Sequence, residues 1–96
     1  MKIRILPPAR FDLIDCYWFY EEREIGLGDY FIESILADID SLVLYAGIHA
    51  THFGKYRMIA SKFPHSIFYL INSNEIQIHA VLDNRRNPDW ISERLN

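Results

Sequence analysis

The chain has 96 residues, of which 50% are hydrophobic and 24% are charged, a composition typical of one globular domain over residues 1–96. Ten Lys and Arg residues against 13 Asp and Glu residues give a net charge of −3, which argues against direct binding of nucleic acid. A single cysteine, Cys16, excludes an internal disulfide and a cysteine metal site, and the apolar runs are too short for a membrane span. We therefore expect a cytoplasmic protein that contains no metal or other cofactor.

The first predicted elements are a strand and an amphipathic helix. Polar and apolar residues alternate over Lys2–Leu6, which predicts a strand with one buried face. From Pro8 to about Arg23 the apolar residues recur at helical spacing, and Pro8 suits the first turn because no N–H is needed there. Cys16 falls on the buried stripe of this helix, which predicts a small hydrophobic side chain and not a nucleophile.

The next elements are a second helix and three strands. Apolar spacing predicts a helix from about Leu27 to Tyr45, and the short link before it predicts an antiparallel helix hairpin. A loop is expected over residues 46–54. Three strand patterns follow and predict an antiparallel meander, at Tyr56–Ala60, Ser66–Ile71 and Glu75–Leu82.

The chain ends in a predicted short helix that extends through Leu95. Asn87, Pro88 and Asp89 have the order of an N-cap, a proline in the first turn and an acidic residue near the helix N-terminus. The whole pattern predicts an α+β fold of order β-α-α-β-β-β, with the helix hairpin on one face of a small antiparallel sheet and a short C-terminal helix.

The alternation in the last strand predicts which residues face the helices. Even-numbered residues from Ile76 to Leu82 are expected on the helix side, and Gln77 and His79 on the opposite side. Because no long helix remains to cover that side, we expect an open sheet face that binds a partner.

The first helix carries a second apolar face, formed by Phe11, Ile14 and Trp18. These side chains either pack inside the helix hairpin or form an exposed patch that another chain covers. The sequence leaves both alternatives open.

A second candidate binding feature follows the last strand, where Arg85, Arg86 and Trp90 are close in sequence. Arginine and tryptophan are frequent at binding hot spots. The alternative is structural: Arg86 pairs with an acidic helix and Trp90 covers the core.

The histidines give weaker indications. His49 and His52 are close in sequence, but a zinc site takes roughly three or four ligands, so loop polarity is the better interpretation. His65 and His79 are single, and an isolated histidine is more often structural than a general base.

Several segments, in this order, resemble the RelE/ParE superfamily of toxins from bacterial type II toxin–antitoxin systems. Phe63–Tyr69 is similar to the family's Phe-Pro-Tyr-x-Ile-Tyr-Tyr motif. The resemblance extends over nearly the whole chain and further includes Ala9-x-x-Asp12-Leu13, Phe31–Leu42, Arg57 and Ile78–Pro88.

This resemblance implies a growth-inhibiting toxin of the plasmid stabilisation type, kept silent by a cognate antitoxin. In the superfamily, RelE-like members cleave mRNA on the ribosome, whereas ParE-like members inhibit DNA gyrase and are not nucleases. We favour a non-enzymatic, ParE-like gyrase inhibitor, because Asp83 stands where many relatives have histidine and a carboxylate there repels phosphate.

Two alternatives remain. One is a RelE-like ribosome-dependent endoribonuclease, with Arg57, Arg85 or Arg86 on the phosphate and His79 transferring a proton. The other is an inactive antitoxin-binding module. The residues predicted to bind the antitoxin are Phe11, Ile14, Trp18, Gln77, His79, Arg85, Arg86 and Trp90.

Overall fold

Two long helices lie on one face of a five-stranded sheet in the computed structural model, which describes residues 1–96. The strands are β1 (Lys2–Ile5), β2 (Thr51–His52), β3 (Lys55–Ile59), β4 (His65–Asn72) and β5 (Glu75–Asp83). The helices are α1 (Pro7–Glu21), α2 (Leu27–Asp40), α3 (Leu42–Tyr45) and α4 (Pro88–Leu95). The predicted α+β order, with its helix hairpin, strand meander and C-terminal helix, is confirmed.

The sheet is mixed, which corrects the prediction of an antiparallel sheet. Its strand order is β1-β5-β4-β3-β2, and β3, β4 and β5 are antiparallel as expected. However, β1 runs parallel to β5, with Ile3 opposite Ile76 and Ile5 opposite Ile78. Parallel strands need a long crossover, which the helices and the meander between β1 and β5 supply.

The second helix and the following loop also differ from the prediction. The predicted helix through Tyr45 divides at Ser41, whose hydroxyl donates to the carbonyl of Asp38 at 2.6 Å, a bond of the kind that bends helices. Within the predicted loop, β2 pairs with β3. The turn between these strands places Phe53 and Gly54 at positive φ, 56° and 78°, as in tight hairpins. Phenylalanine rarely adopts this conformation, so the residues of the turn do not predict a hairpin.

A β-bulge interrupts the pairing of β5 with β4 at His79. Tyr69 lies opposite Ile78 and Phe68 lies opposite Ala80, so His79 has no partner across the ladder. An extra residue in one strand reverses the alternation of side chains beyond it. Residues of β5 after the bulge therefore point to the faces opposite to those predicted.

The reversal changes the composition of both faces of the sheet. Val81 packs in the main core beneath α1 and α2, together with Ile78 from before the bulge. Ala80 and Leu82 instead join Phe68 in a second apolar cluster. The prediction that Ala80 and Leu82 face the helix hairpin is wrong for this reason.

Helix α4 covers this second cluster. Ile91 and Leu95 pack against its sheet residues, and Lys55 Nζ donates to the carbonyl of Leu95 at 2.7 Å. Asn87 caps the helix as predicted, its side chain accepting the N–H of Asp89 at 2.7 Å. The sheet face expected to be open is therefore partly covered, because the bulge gives it apolar residues that need burial.

Gly28 lies where α2 approaches α1 most closely. A Cβ added there would lie 2.8 Å from both the ring and the carbonyl oxygen of Tyr17. We expect Gly28→Ala to lower the free energy of unfolding by about 1–3 kcal/mol, although alanine has the better helix propensity by about 1 kcal/mol. Urea denaturation measures the difference, with the exposed Glu33→Ala on the same helix as the control. A stabilised Gly28→Ala protein would contradict this close packing.

Candidate functional site

A groove of about 960 Å³ lies between α1 and α4, beside the end of β5. Three aromatic residues, Phe11, Phe19 and Trp90, form much of its apolar surface. The charged residues that line it are Asp12, Asp15, Asp83, Arg86 and Arg94. Helix α4 supplies one wall because it packs on the second cluster, so the groove depends on the bulge in β5.

The second apolar face of α1 is exposed. Phe11, Ile14 and Trp18 have 66%, 52% and 56% of their surface accessible, whereas Leu13 and Tyr20 on the inner side are buried. Of the two alternatives, the helix thus forms an exposed patch and does not bury these residues in the hairpin. A continuous apolar surface of this kind is typical of interaction sites.

The two adjacent arginines after β5 have different environments. Arg85 donates to both carboxylate oxygens of Asp83, at 2.9 and 2.6 Å, and this pairing lowers the pKa of Asp83 to about 2. Arg86 has no carboxylate partner and places its guanidinium 4.2 Å from the ring centre of Trp90. The expected alternative, in which Arg86 pairs with an acidic helix, is not what the structure contains.

The arginine that does pair with helix α1 is Arg94. Its Nη2 donates to Asp12 at 2.6 Å and to the carbonyl of Pro8 at 3.0 Å. The same Asp12 oxygen accepts the N–H of Val81 at 3.0 Å, so one carboxylate connects α1, β5 and α4. Burial raises the pKa of Asp12, and the bonds from Arg94 and Val81 oppose that rise. Sequence reasoning missed this pair, although Asp12 belongs to a segment that resembles the family.

His65 and Cys16 also line the groove. His65 is only 3% exposed, and its Nε2 lies 3.0 Å from the Tyr20 hydroxyl while its Nδ1 has no partner. Burial lowers the pKa of His65, which keeps the imidazole neutral near pH 7. Burial also raises the pKa of Cys16 to about 12, so its thiol stays protonated and is a poor nucleophile, as expected.

The residues predicted for a nuclease make separate contacts in the structure. Arg57 donates to Ser66 Oγ at 2.7 Å and to Asn84 Oδ1 at 3.2 Å, whereas Arg86 lies over Trp90 in the groove. No hydrogen bond or ion pair connects these two arginines with each other or with His79.

The other predicted partner residues on β5 lie before the groove. Gln77 donates to Glu75 at 2.7 Å, and His79 occupies the bulge with its Nε2 buried and without a partner. Burial lowers the pKa of His79. The structure thus brings Phe11, Arg86 and Trp90 together in the groove and places Gln77 and His79 outside it.

No three His, Cys, Asp or Glu side chains converge as a metal site would require. His49, in the segment expected to be a loop, hydrogen-bonds through Nδ1 to the Tyr69 hydroxyl. That hydroxyl also accepts the N–H of Gly47 at 2.9 Å. His49 therefore anchors the segment before β2 to the core.

The buried His65 predicts a pH dependence of stability. Because its folded-state pKa lies below the ordinary value of 6.5, the unfolded chain binds the proton more tightly. The free energy of unfolding should be fully retained above about pH 6.5 and should fall as the pH decreases toward about 5. In His65→Phe the fall should be smaller, and stability at pH 8 should drop by about 1 kcal/mol through loss of the Tyr20 bond.

Urea denaturation of both proteins at several pH values from about 8 to 5 tests this expectation. His49 and His79, whose pKa values burial also lowers, account for the pH dependence that remains in His65→Phe. An identical pH dependence in the two proteins would remove His65 from this role.

Comparisons with known proteins support the fold through structure and not through sequence. The chain matches no protein-family profile and no curated protein. Its structure is similar to a chain of the chromosomal ParDE TA system from P. aeruginosa, with a TM-score of 0.72, 22% identity and coverage of 84% of this chain and 92% of the other. None of the helices is both long enough and apolar enough to span a membrane. At this identity the similarity establishes a shared fold, and it confirms the ParE-like fold that the resemblance implied.

Proposed function

We propose that this protein is a ParE-like toxin of a toxin–antitoxin pair, which inhibits bacterial growth unless a cognate antitoxin neutralises it. The observation that carries this proposal is the shared fold with a chain of a ParDE TA system, which extends over 84% of this chain. The segments that resemble the same superfamily agree with this proposal. Such a toxin acts in the cytoplasm, and plasmid stabilisation is the corresponding biological role.

DNA gyrase is the target in this proposal, and the protein is not a nuclease. The charge arrangement supports this choice, because Asp83 neutralises Arg85 and the groove carries two further aspartates. A phosphate-cleaving site needs preorganised cations aimed at one phosphate. Arg57 is instead bonded to Ser66 and Asn84, apart from Arg86.

The antitoxin contacts the exposed face of α1 and the adjoining groove. Phe11, Ile14 and Trp18 supply apolar surface, and the stacked pair of Arg86 and Trp90 has the residue types of a binding hot spot. The other residues predicted from the sequence as contacts are Gln77, His79 and Arg85, none of which lines the groove.

Pulse labelling of DNA and protein synthesis, in the first minutes after inducing the chain without an antitoxin, tests the target. We expect DNA synthesis to fall first, because gyrase inhibition stops replication directly. The double variant with Arg57→Ala and Arg86→Ala is compared with the unaltered chain. It should still arrest DNA synthesis if no nuclease site exists. An early fall in protein synthesis that this variant and His79→Ala abolish would favour the endoribonuclease. If neither synthesis falls, the chain is an inactive antitoxin-binding module.

Trp18→Asp tests the antitoxin surface. Placing a charge in the exposed α1 face should weaken binding of the antitoxin encoded beside this gene by at least about tenfold, since a buried interface aromatic often contributes more than 1.4 kcal/mol. Leu44→Asp is the control, because Leu44 is 79% exposed but lies on α3. Calorimetric titration measures both affinities, and circular dichroism verifies the fold. Equal affinity of Trp18→Asp and the unaltered protein would exclude this face.

A further inference from the structure

Two arginines at the groove have no acidic partner. The guanidinium of Arg23 lies 4.2 Å from the ring centre of Phe19, and that of Arg86 lies 4.2 Å from the ring centre of Trp90. Both rings line the groove, and neither arginine belongs to the three ion pairs of the protein. We call Arg23 and Arg86, with their two rings, the arginine mouth.

We propose that the arginine mouth binds a carboxylate side chain of a partner segment whose neighbouring apolar residues enter the groove. The partner's identity as the antitoxin rests on the proposed function, whereas the recognition chemistry does not.

Stacking on an aromatic ring prepares an arginine for this role. The ring fixes the plane of the guanidinium by a cation–π contact and leaves its N–H groups at the edge unoccupied. A planar fork of N–H donors matches the two oxygens of a carboxylate, and little side-chain freedom remains to be lost on binding. An ion pair within the protein would instead have occupied these donors, as it does for Arg85.

The aspartates that line the groove are mostly neutralised. Asp83 pairs with Arg85, and Asp12 pairs with Arg94, at 2.6 Å in each case. Asp15 is the one acidic residue of the groove lining without such a partner. Arg86 therefore keeps its positive charge without an ionic partner inside the groove, in a chain whose net charge is −3.

The same distribution favours a carboxylate over a nucleic-acid phosphate. The several phosphates of a polynucleotide would be repelled by Asp15 and by the net negative charge of the chain. A peptide brings one charge to the mouth and apolar side chains to Phe11 and the two rings. The groove volume of about 960 Å³ is sufficient for several such side chains.

Peptide titration followed by NMR tests the site directly. The probe is acetyl-Leu-Leu-Glu-Leu-Leu-amide, its matched control has glutamine in place of glutamate, and inorganic phosphate is the third ligand. We expect the glutamate peptide to shift the Nε–Hε signals of Arg23 and Arg86 and to bind about tenfold more tightly than the glutamine peptide, as one charge-assisted hydrogen bond gives.

Substitutions test whether the arginine mouth causes the preference for the glutamate peptide over the glutamine peptide. Arg86→Gln and Arg23→Gln should each remove most of the tenfold difference. Arg4→Gln should retain it, because Arg4 lies on β1, outside the groove lining, and pairs with Glu75 of β5. Equal affinities of the two peptides, or a preference that survives Arg86→Gln, would overturn the proposal, and stronger shifts with phosphate would identify a phosphoryl site instead. None of these measurements depends on bacterial growth. Carboxylate binding at the mouth can therefore be found in a protein that is not a toxin, and it can be absent from a proven toxin.

Discussion

The extra residue at His79 is the constraint on which the rest of the structure depends. Before the bulge, Ile78 points beneath the helix hairpin, and after it Val81 does so. Without the bulge, β5 would place Ala80 beneath the hairpin and Val81 on the other side. The actual arrangement completes one core under α1 and α2 and creates a second apolar cluster that α4 covers. The groove exists because α4 is held at that position, beside α1.

Ion pairs within the protein then decide which charged side chains of the groove have no ionic partner. Asp12 connects three elements by accepting hydrogen bonds from Val81 and Arg94, and so holds α4 against α1. Breaking such a pair leaves a partly buried charge without compensation, which is far more costly than losing a surface ion pair. Asp83 neutralises Arg85 in the same way. Two of the groove aspartates thus have arginine partners, whereas Arg86 has no ionic partner.

These features define the chemical character of the groove and of the adjoining face of α1. Its single thiol stays protonated, its groove histidine stays neutral, and Arg57 and Arg86 have different partners, Ser66 for the first and the Trp90 ring for the second. What it presents to solvent is an apolar helix face beside a groove with stacked arginine and aromatic side chains. Exposed aromatic side chains and arginines of this kind are frequent at protein–protein interfaces.

The sequence by itself determined most of the local elements and the second apolar face of α1, whereas the exposure of that face was decided by the structure. Periodicity and proline position suffice for α1, for the meander and for the capped α4, because these signals act within a few residues of the chain. Only the tertiary structure decided the parallel pairing of β1 with β5, the bulge, the position of α4 and the choice of Arg94 as partner of Asp12. Each of these depends on contacts between residues far apart in the chain, such as Asp12 with Arg94, and alternation along one strand cannot reveal where its pairing slips by one residue.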